Sequence, residues 1–327
     1  MALILTDSQN YTNIANAIRA KLGTASTFKP SQMASAIGSI GGAGGIVPSG
    51  TSVITANGMY DVTNFASASV NIPTDPYMAK YTDSLTSYAD SSITSVYYGA
   101  FAYTQNLSTV SFPEVVTVQS YAFAYCYKLR TMSFPKLKTI QPYAFQYCSS
   151  INYAIDSAHF PSLSGTLGGY AFRGCQYITA IDLSTITSLG AQTFSACSRI
   201  TTVNLPNVTS IGSGAFSYLT TCSQYSLPKL TYVASNAFTS NWKLTSITLP
   251  VATTISAYAF RYCSSLMALY LPGSSIPTLN ASAFLNMPFS VSVNNAYGSI
   301  YVLSSLVASY QAATNWSKYS NRIVAIP

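Results

Sequence analysis

From about residue 77 to 292 the apolar positions recur with a long period rather than with the short period of a helix or strand. Ala-Phe or a near variant places phenylalanine at 101, 123, 145, 172, 194, 216, 238, 260 and 284, with spacings of 22, 22, 27, 22, 22, 22, 22 and 24. Five residues before each phenylalanine stands an aliphatic: Val96, Val118, Ile140, Leu167, Leu189, Ile211, Val233, Ile255 and Leu279. Six, nine and eleven residues after it come three more apolar side chains, as in Leu107, Val110 and Phe112 or Leu244, Ile247 and Leu249. A proline usually closes the run, as at Pro113, Pro135, Pro206, Pro228, Pro250 and Pro272.

This pattern predicts a short strand with alternate residues inward, stopped by proline because proline has no N–H for the ladder. The chain then turns and delivers the aliphatic and the Ala-Phe to the same core. One coil cannot bury its apolar face alone, so coils must stack into a solenoid with short parallel strands. At about 4.8 Å per coil, nine or ten coils make a rod roughly 45–50 Å long. The two longer spacings place insertions around Ser157–His159 and Gly273–Ile276. A degenerate first coil fits the frame at Tyr77, Ala79, Tyr81, Leu85 and Tyr88. Outward strand positions read as a neutral hydroxyl face: Thr109, Thr131, Tyr153, Ala180, Thr202, Gln224 and Ser246 in one row, Ser111, Ser133, Asp182, Asn204, Ser226, Thr248 and Tyr270 in the next.

The ends differ from the array. Residues 1–40 predict a small α-helical segment, with Thr6 or Asp7 as cap and Gly23 as stop, and Ile14, Ile18 and Leu22 form an apolar stripe suited to attachment or oligomerisation. Residues 41–50 are a glycine-rich linker, and residues 51–73 predict a small β module with an Asn57-Gly58 hairpin turn. The array then occupies 74–292. Residues 293–327, with a helix-like Ser304–Thr314, Trp316 and Ile323–Ile326, read as the cap that covers the last coil.

The motif Leu-x-x-Val-x-Phe-Pro followed by Ile-x-x-x-Ala-Phe-x-x-Cys resembles the BspA-type leucine-rich repeats of bacterial surface proteins, phages and some protists. The resemblance covers about two-thirds of the chain. It implies a right-handed stack of leucine-rich-repeat coils that binds proteins or surfaces. The leader segments NIANAIRAKLG…FKPSQMASAI and ITANGMYDVTNFASASVNIP look like modules of phage and prophage structural proteins, and similar tail fibres are often trimers.

Composition narrows the chemistry. Charged residues are only 7% of the chain, and 15 Lys and Arg against 8 Asp and Glu leave a formal +7. Nucleic-acid binding calls for a basic cluster on one face, and the densest group is Lys128, Arg130, Lys136 and Lys138, so no nucleic-acid partner is expected. No apolar run approaches a membrane span, so no membrane insertion is expected. Five cysteines, Cys126, Cys148, Cys175, Cys197 and Cys263, lie three residues after a repeat phenylalanine, and Cys222 takes an inward aliphatic slot. That places them as a ladder of buried free thiols without metal-ligand spacing, and no metal or cofactor is expected. His159, the one histidine, lies in the long insertion near Asp156. With no nucleophile motif and no paired carboxylates, no catalytic residue is expected and the enzyme reading is weak.

The candidate contact residues are tyrosines. Tyr121, Tyr143, Tyr170 and Tyr258 stand two before the repeat phenylalanine, and Tyr103, Tyr125, Tyr147, Tyr218 and Tyr262 two after; Tyr153 and Tyr270 join them from the strand face. Such rings suit saccharide stacking or amphipathic protein contact. The start of the chain has no basic region and too short an apolar stretch for a signal peptide. Together with the leader this predicts a phage virion fibre or spike component, assembled in the host cytoplasm and attached through its N-terminus to other virion proteins, in an assembly compatible with a homotrimer, with a bacterial surface glycan or protein as receptor. The alternative is an extracellular or cell-surface BspA-like adhesin that binds host or matrix protein.

Overall fold

The computed structural model describes residues 85–290 and 297–327. The leader helices with Ile14, Ile18 and Leu22, the glycine linker, the hairpin, and Tyr77, Ala79 and Tyr81 of the first coil lie outside the described residues.

The described chain is a solenoid of short strands, every pair parallel. A first ladder of eleven strands, hydrogen-bonded as three successive sheets of three, four and four, comprises Ser87–Ala89, Thr109–Ser111, Thr131–Ser133, Ile155–Asp156, Ala180–Asp182, Thr202–Asn204, Gln224–Ser226, Ser246–Thr248, Ala268–Leu271, Ser299–Val302 and Ile323–Ala325. A second ladder of two- to four-residue strands runs from Ser95–Val96 to Thr278–Leu279 and carries the aliphatic that precedes each phenylalanine. Residues one repeat apart pair directly, Thr109 with Thr131 and Val118 with Ile140. The third side of each coil is the turn around the phenylalanine. Its amides also bond from coil to coil: Phe123 N–H donates to the Ala144 carbonyl at 2.8 Å and Tyr125 N–H to Gln146 at 2.7 Å.

The core is a column of phenylalanines. Phe101, Phe123, Phe145, Phe172, Phe194, Phe216, Phe238 and Phe260 are buried and stack on their neighbours with centroids 5.0–6.3 Å apart. In the first coils Phe112 and Phe134 interleave with them edge-on, for instance Phe134 with Phe145 at 6.2 Å and 73°. Leu85 and Tyr88 of the degenerate coil pack on this core, Tyr88 against Phe101 at 5.0 Å.

All six cysteines are free and buried. The thiols of Cys126, Cys148, Cys175, Cys197 and Cys263 each donate at 3.0 Å to the carbonyl of the repeat phenylalanine one coil earlier. That carbonyl already accepts the backbone N–H three residues on, and the thiol, small and apolar enough for the dry core, gives it a second hydrogen bond. Asn241 fills the same slot in another coil, its amide donating to Phe216 and Phe238 carbonyls at 2.8 Å.

The long coil corrects one expectation. Ile155 pairs with Ile181 and Asp156 with Asp182, so an extra residue enters before Ile155 and shifts the register by one. A one-residue slip moves side chains to the opposite face. Tyr153 therefore leaves the outward row: it packs against the core, its hydroxyl buried without a hydrogen-bond partner. Burial above all, with the nearby thiols, pushes its phenol well above the ordinary tyrosine value. Ser157–His159 form the expected loop, capped by the Asp156 carboxylate, which accepts from the Ala158 and His159 amides at 3.0 Å. Phe160 returns the chain to the core.

At the C-terminal end, Val307–Ala312 is a short helix between two 3-10 turns, Ser304–Leu306 and Ser317–Arg322. Trp316 is buried and its indole N–H donates to the Pro277 carbonyl at 2.8 Å, while the Asn315 amide donates to Leu279 at 2.8 Å. These bonds satisfy carbonyls at and just before the last strand of the second ladder, and Phe284 meets Trp316 and Tyr319 edge-on.

Candidate functional site

The turns around the repeat phenylalanines have an unusual backbone. In every coil from Phe101 to Phe260, the residues two before and two after the phenylalanine have φ between +51° and +73°. This left-handed conformation costs an L-residue roughly 1–2 kcal/mol, which is why glycine and asparagine usually hold it. Here it is held by nine tyrosines: Tyr103, Tyr121, Tyr125, Tyr143, Tyr147, Tyr170, Tyr218, Tyr258 and Tyr262. The alternating turn makes the residues at both positions and the phenylalanine donate to the next coil, so stacking imposes the conformation.

The tyrosines form two ladders on the turn side. In one, Tyr121 stacks on Tyr143 at 4.5 Å and Tyr143 on Tyr170 at 4.6 Å, with Tyr98 tilted against the end at 5.4 Å. In the other, Tyr103 stacks on Tyr125 at 4.7 Å and Tyr125 on Tyr147 at 5.1 Å. The Arg173 guanidinium ends both, 5.7 Å from the centroids of Tyr147 and Tyr170. Tyr147 lies over Gly174, where a Cβ would collide with its ring. Burial first, then the neighbouring phenols, push the hydroxyls of Tyr121 and Tyr125 above the ordinary value, which keeps them neutral donors.

Because internal rings cover each other's faces, the ladders present edges and hydroxyls rather than open faces for a sugar. A second cluster is looser: Arg261 lies 5.3 Å from the Tyr258 ring centroid and 4.6 Å from that of Tyr262, and its guanidinium donates to the Tyr262 hydroxyl at 3.0 Å. That bond holds the exposed Tyr262 phenol below its ordinary value. Tyr270 stacks on Tyr301 at 4.6 Å on the strand face, away from the ladders. Of the sequence candidates, Tyr121, Tyr125, Tyr143, Tyr147 and Tyr170 are thus brought together, Tyr258 and Tyr262 form a separate pair, and Tyr153 and Tyr270 stand apart.

The His159 Nδ1–H donates to the Asp156 carboxylate at 2.8 Å, and its ring stacks on Tyr153 at 4.2 Å. Burial pushes the Asp156 carboxyl up, but the bonds from His159 outweigh it and leave the group below its ordinary range. Among the described residues no cluster of three His, Cys, Asp or Glu could hold a metal ion, and no helix is long and apolar enough to cross a membrane.

The chain matches the BspA type leucine rich repeat region in six copies over residues 75–155, 152–267 and 187–301, well over half its length. It belongs to that family. Solved leucine-rich-repeat structures are similar to it. One from Bacteroides ovatus is 18% identical with a TM-score of 0.46, over 64% of this chain and 59% of that one. A leucine rich cell surface protein from Faecalibacterium prausnitzii is 16% identical with a TM-score of 0.29, over 73% and 92% of the two chains. The pneumococcal vaccine antigen PcpA is 14% identical with a TM-score of 0.29, over 74% and 89%. The chain spans 59% of the Bacteroides protein's length. No curated protein matches it.

The BspA type repeat accounts for the phenylalanine, aliphatic and cysteine columns that run through the array. It does not account for the tyrosine ladders, since Gln192, Gly214, Asn236 and Ser240 stand in the same columns of later coils. Reading the sequence by columns missed Arg173, which holds the ends of both ladders, and the exposed rings Tyr98, Tyr127, Tyr177 and Trp242. A signal for the backbone was nevertheless there: Gly99, Gly174, Gly214, Asn236 and Asn286 share the tyrosine columns, and glycine with asparagine marks a left-handed position.

Proposed function

We propose that this chain is a non-catalytic, extracellular or cell-surface adhesin of the BspA type that holds host or matrix protein against its tyrosine ladders. One observation carries the reading: tyrosine occupies left-handed positions that glycine or asparagine takes with less backbone strain, and it does so in consecutive coils that build two rows. Rigid amphipathic rings with outward hydroxyls offer contact area at low entropic cost. The family match begins at residue 75, and the leader segments that suggested a virion component fall outside it and outside the described residues. The reading therefore follows the solenoid rather than the leader.

Replacing Tyr121, Tyr125, Tyr143 and Tyr147 together by glycine keeps residues suited to the backbone while removing the rings. Attachment of the full chain to surfaces coated with purified laminin or collagen should fall by about ten-fold or more, the scale of a few lost aromatic contacts. A folded variant that attaches as the wild type would reduce the ladders to an internal brace and end the proposal.

A further inference from the structure

The corner between the phenylalanine turn and the first-ladder strand is made by the residues four to seven positions after each phenylalanine. Three exposed aromatic residues stand there, Tyr127 at 41%, Tyr177 at 43% and Trp242 at 51% exposure. Four exposed cations share the corner: Lys128, Arg130, Arg199 and Lys243. Unlike the laddered tyrosines, Trp242 and Tyr127 sit in coils whose neighbours carry no ring at that position. Arg199 lies 4.1 Å over the Tyr177 ring, and Lys128 donates to the neutral amide of Asn106 at 2.7 Å.

No acid stands on this corner in any described coil. The described residues carry eleven Lys and Arg against four Asp and Glu, which is the chain's entire +7. The acids lie elsewhere: Glu114 is paired with Lys136 at 2.6 Å across the opposite corner, and Asp90, Asp156 and Asp182 sit at strand ends. The corner thus holds four of the eleven cations with no acid beside them, next to exposed aromatic rings.

We infer that this edge is a binding site for an acidic polysaccharide laid along the solenoid axis. Charge spacing selects this ligand among polyanions. Lys128 and Arg199 are three coils apart and Arg199 and Lys243 two, roughly 14 and 10 Å at about 4.8 Å per coil. A nucleic-acid strand carries a charge about every 3.4 Å and would leave most of its phosphates unmatched. A polysaccharide that alternates acidic and neutral sugars spaces its carboxylates more widely, and its sugars present apolar C–H faces to Tyr127, Tyr177 and Trp242. The inference rests on the reading of the chain as an adhesin but uses none of the laddered tyrosines.

The test is affinity electrophoresis of the full chain in gels containing hyaluronate, dextran or neither, with oligothymidine as competitor. Hyaluronate should retard the protein, dextran should not, and added salt should weaken the retardation. The triple variant K128Q/R199Q/K243Q should bind hyaluronate at least about ten-fold more weakly, the sum expected for three screened ion pairs. W242S with Y127S should also weaken it. The control K136Q/K138Q/K229Q removes the same charge from the other corner and should stay within about two-fold of wild type. Equal losses in the two triple variants would reduce the effect to net charge and overturn the site. Absence of hyaluronate binding, equal retardation by dextran, or oligothymidine displacing hyaluronate at lower concentration would overturn the ligand. Corner variants that lose hyaluronate yet keep laminin attachment, or ladder variants that do the reverse, separate this inference from the proposed function.

Discussion

The coils from Phe101 to Phe172 and those from Phe194 to Phe238 share one backbone and differ in what covers it. Both have left-handed residues on either side of the phenylalanine. In the first region six of the eight such positions are tyrosine, the others being Gly99 and Gly174; in the second they are Gln192, Ala196, Gly214, Tyr218, Asn236 and Ser240. The fold therefore demands the conformation but not the ring. Stacked neighbours offset the strain of a bulky residue there, so a ladder is self-supporting once it starts and has no reason to start unless the surface is used. Beneath the turns the two regions are alike: the phenylalanine column runs through both, at 5.1–5.4 Å in the first and 5.7–6.3 Å in the second.

The largest expected effect tests that likeness. Phe145→Ala and Phe194→Ala should each cost about 3–5 kcal/mol in denaturant unfolding, the range for a buried phenylalanine. Phe145 also loses edge contacts with Phe134 and should lie at the upper end. A Phe194 variant that unfolds as the wild type would show that the second region is not held by its column. Next comes the slot behind the phenylalanine. Asn241→Leu removes the donor to two core carbonyls and the acceptor of the Tyr225 hydroxyl, at about 2 kcal/mol. Leu219 already occupies that slot one coil earlier, so an Asn241→Leu chain with unchanged unfolding would mean the slot needs only volume.

From Cys148 to Cys197, across the boundary between the two regions, the same slot titrates. Burial pushes the Cys148, Cys175 and Cys197 thiols above their ordinary 9.0, so the folded chain keeps protons that the unfolded chain releases as pH rises through 9. Stability from these groups is complete below pH 9 and is lost above it. At pH 10 the contribution lost is about 1.4 kcal/mol per thiol. Cys175→Ser should therefore flatten the fall in unfolding free energy between pH 8 and 10 by that amount. Parallel curves for variant and wild type would show that the thiol is accessible to hydroxide in the folded chain.

The columns legible in the sequence were those where chemistry is uniform. Phenylalanine, the aliphatic five residues earlier and the cysteine recur because each meets its own copy one coil away, and spacing alone reveals such contacts. Tyr153 was misplaced because one residue inserted before Ile155 leaves no mark on composition; only pairing of Ile155 with Ile181 reveals it. The ring geometry was hidden for another reason. Two residues on either side of a phenylalanine look like exposed flanks, and whether their rings stack depends on a backbone conformation that tyrosine by itself does not announce. Arg173 was invisible to column reading because its neighbours in that column, Gln146 and Ser195, share nothing with it.

The smallest expected effect decides what the ladder is worth to the fold. Tyr143→Gly relieves roughly 1–2 kcal/mol of left-handed strain but removes two stacking partners, each contributing about 0.5–1.5 kcal/mol, and adds unfolded-chain entropy of about 0.5–1 kcal/mol. At the midpoints the balance is a loss of about 1 kcal/mol. In the second region Ser240→Gly has no ring stack to lose, so strain relief exceeds entropy and the variant should gain about 0.5–1 kcal/mol. The difference between the two substitutions, read from parallel unfolding curves, isolates the stacking term because the backbone is common to both. If Tyr143→Gly shifted stability as Ser240→Gly does, the rings would contribute nothing to stability, and their presence at strained positions would be owed to what they touch outside the chain.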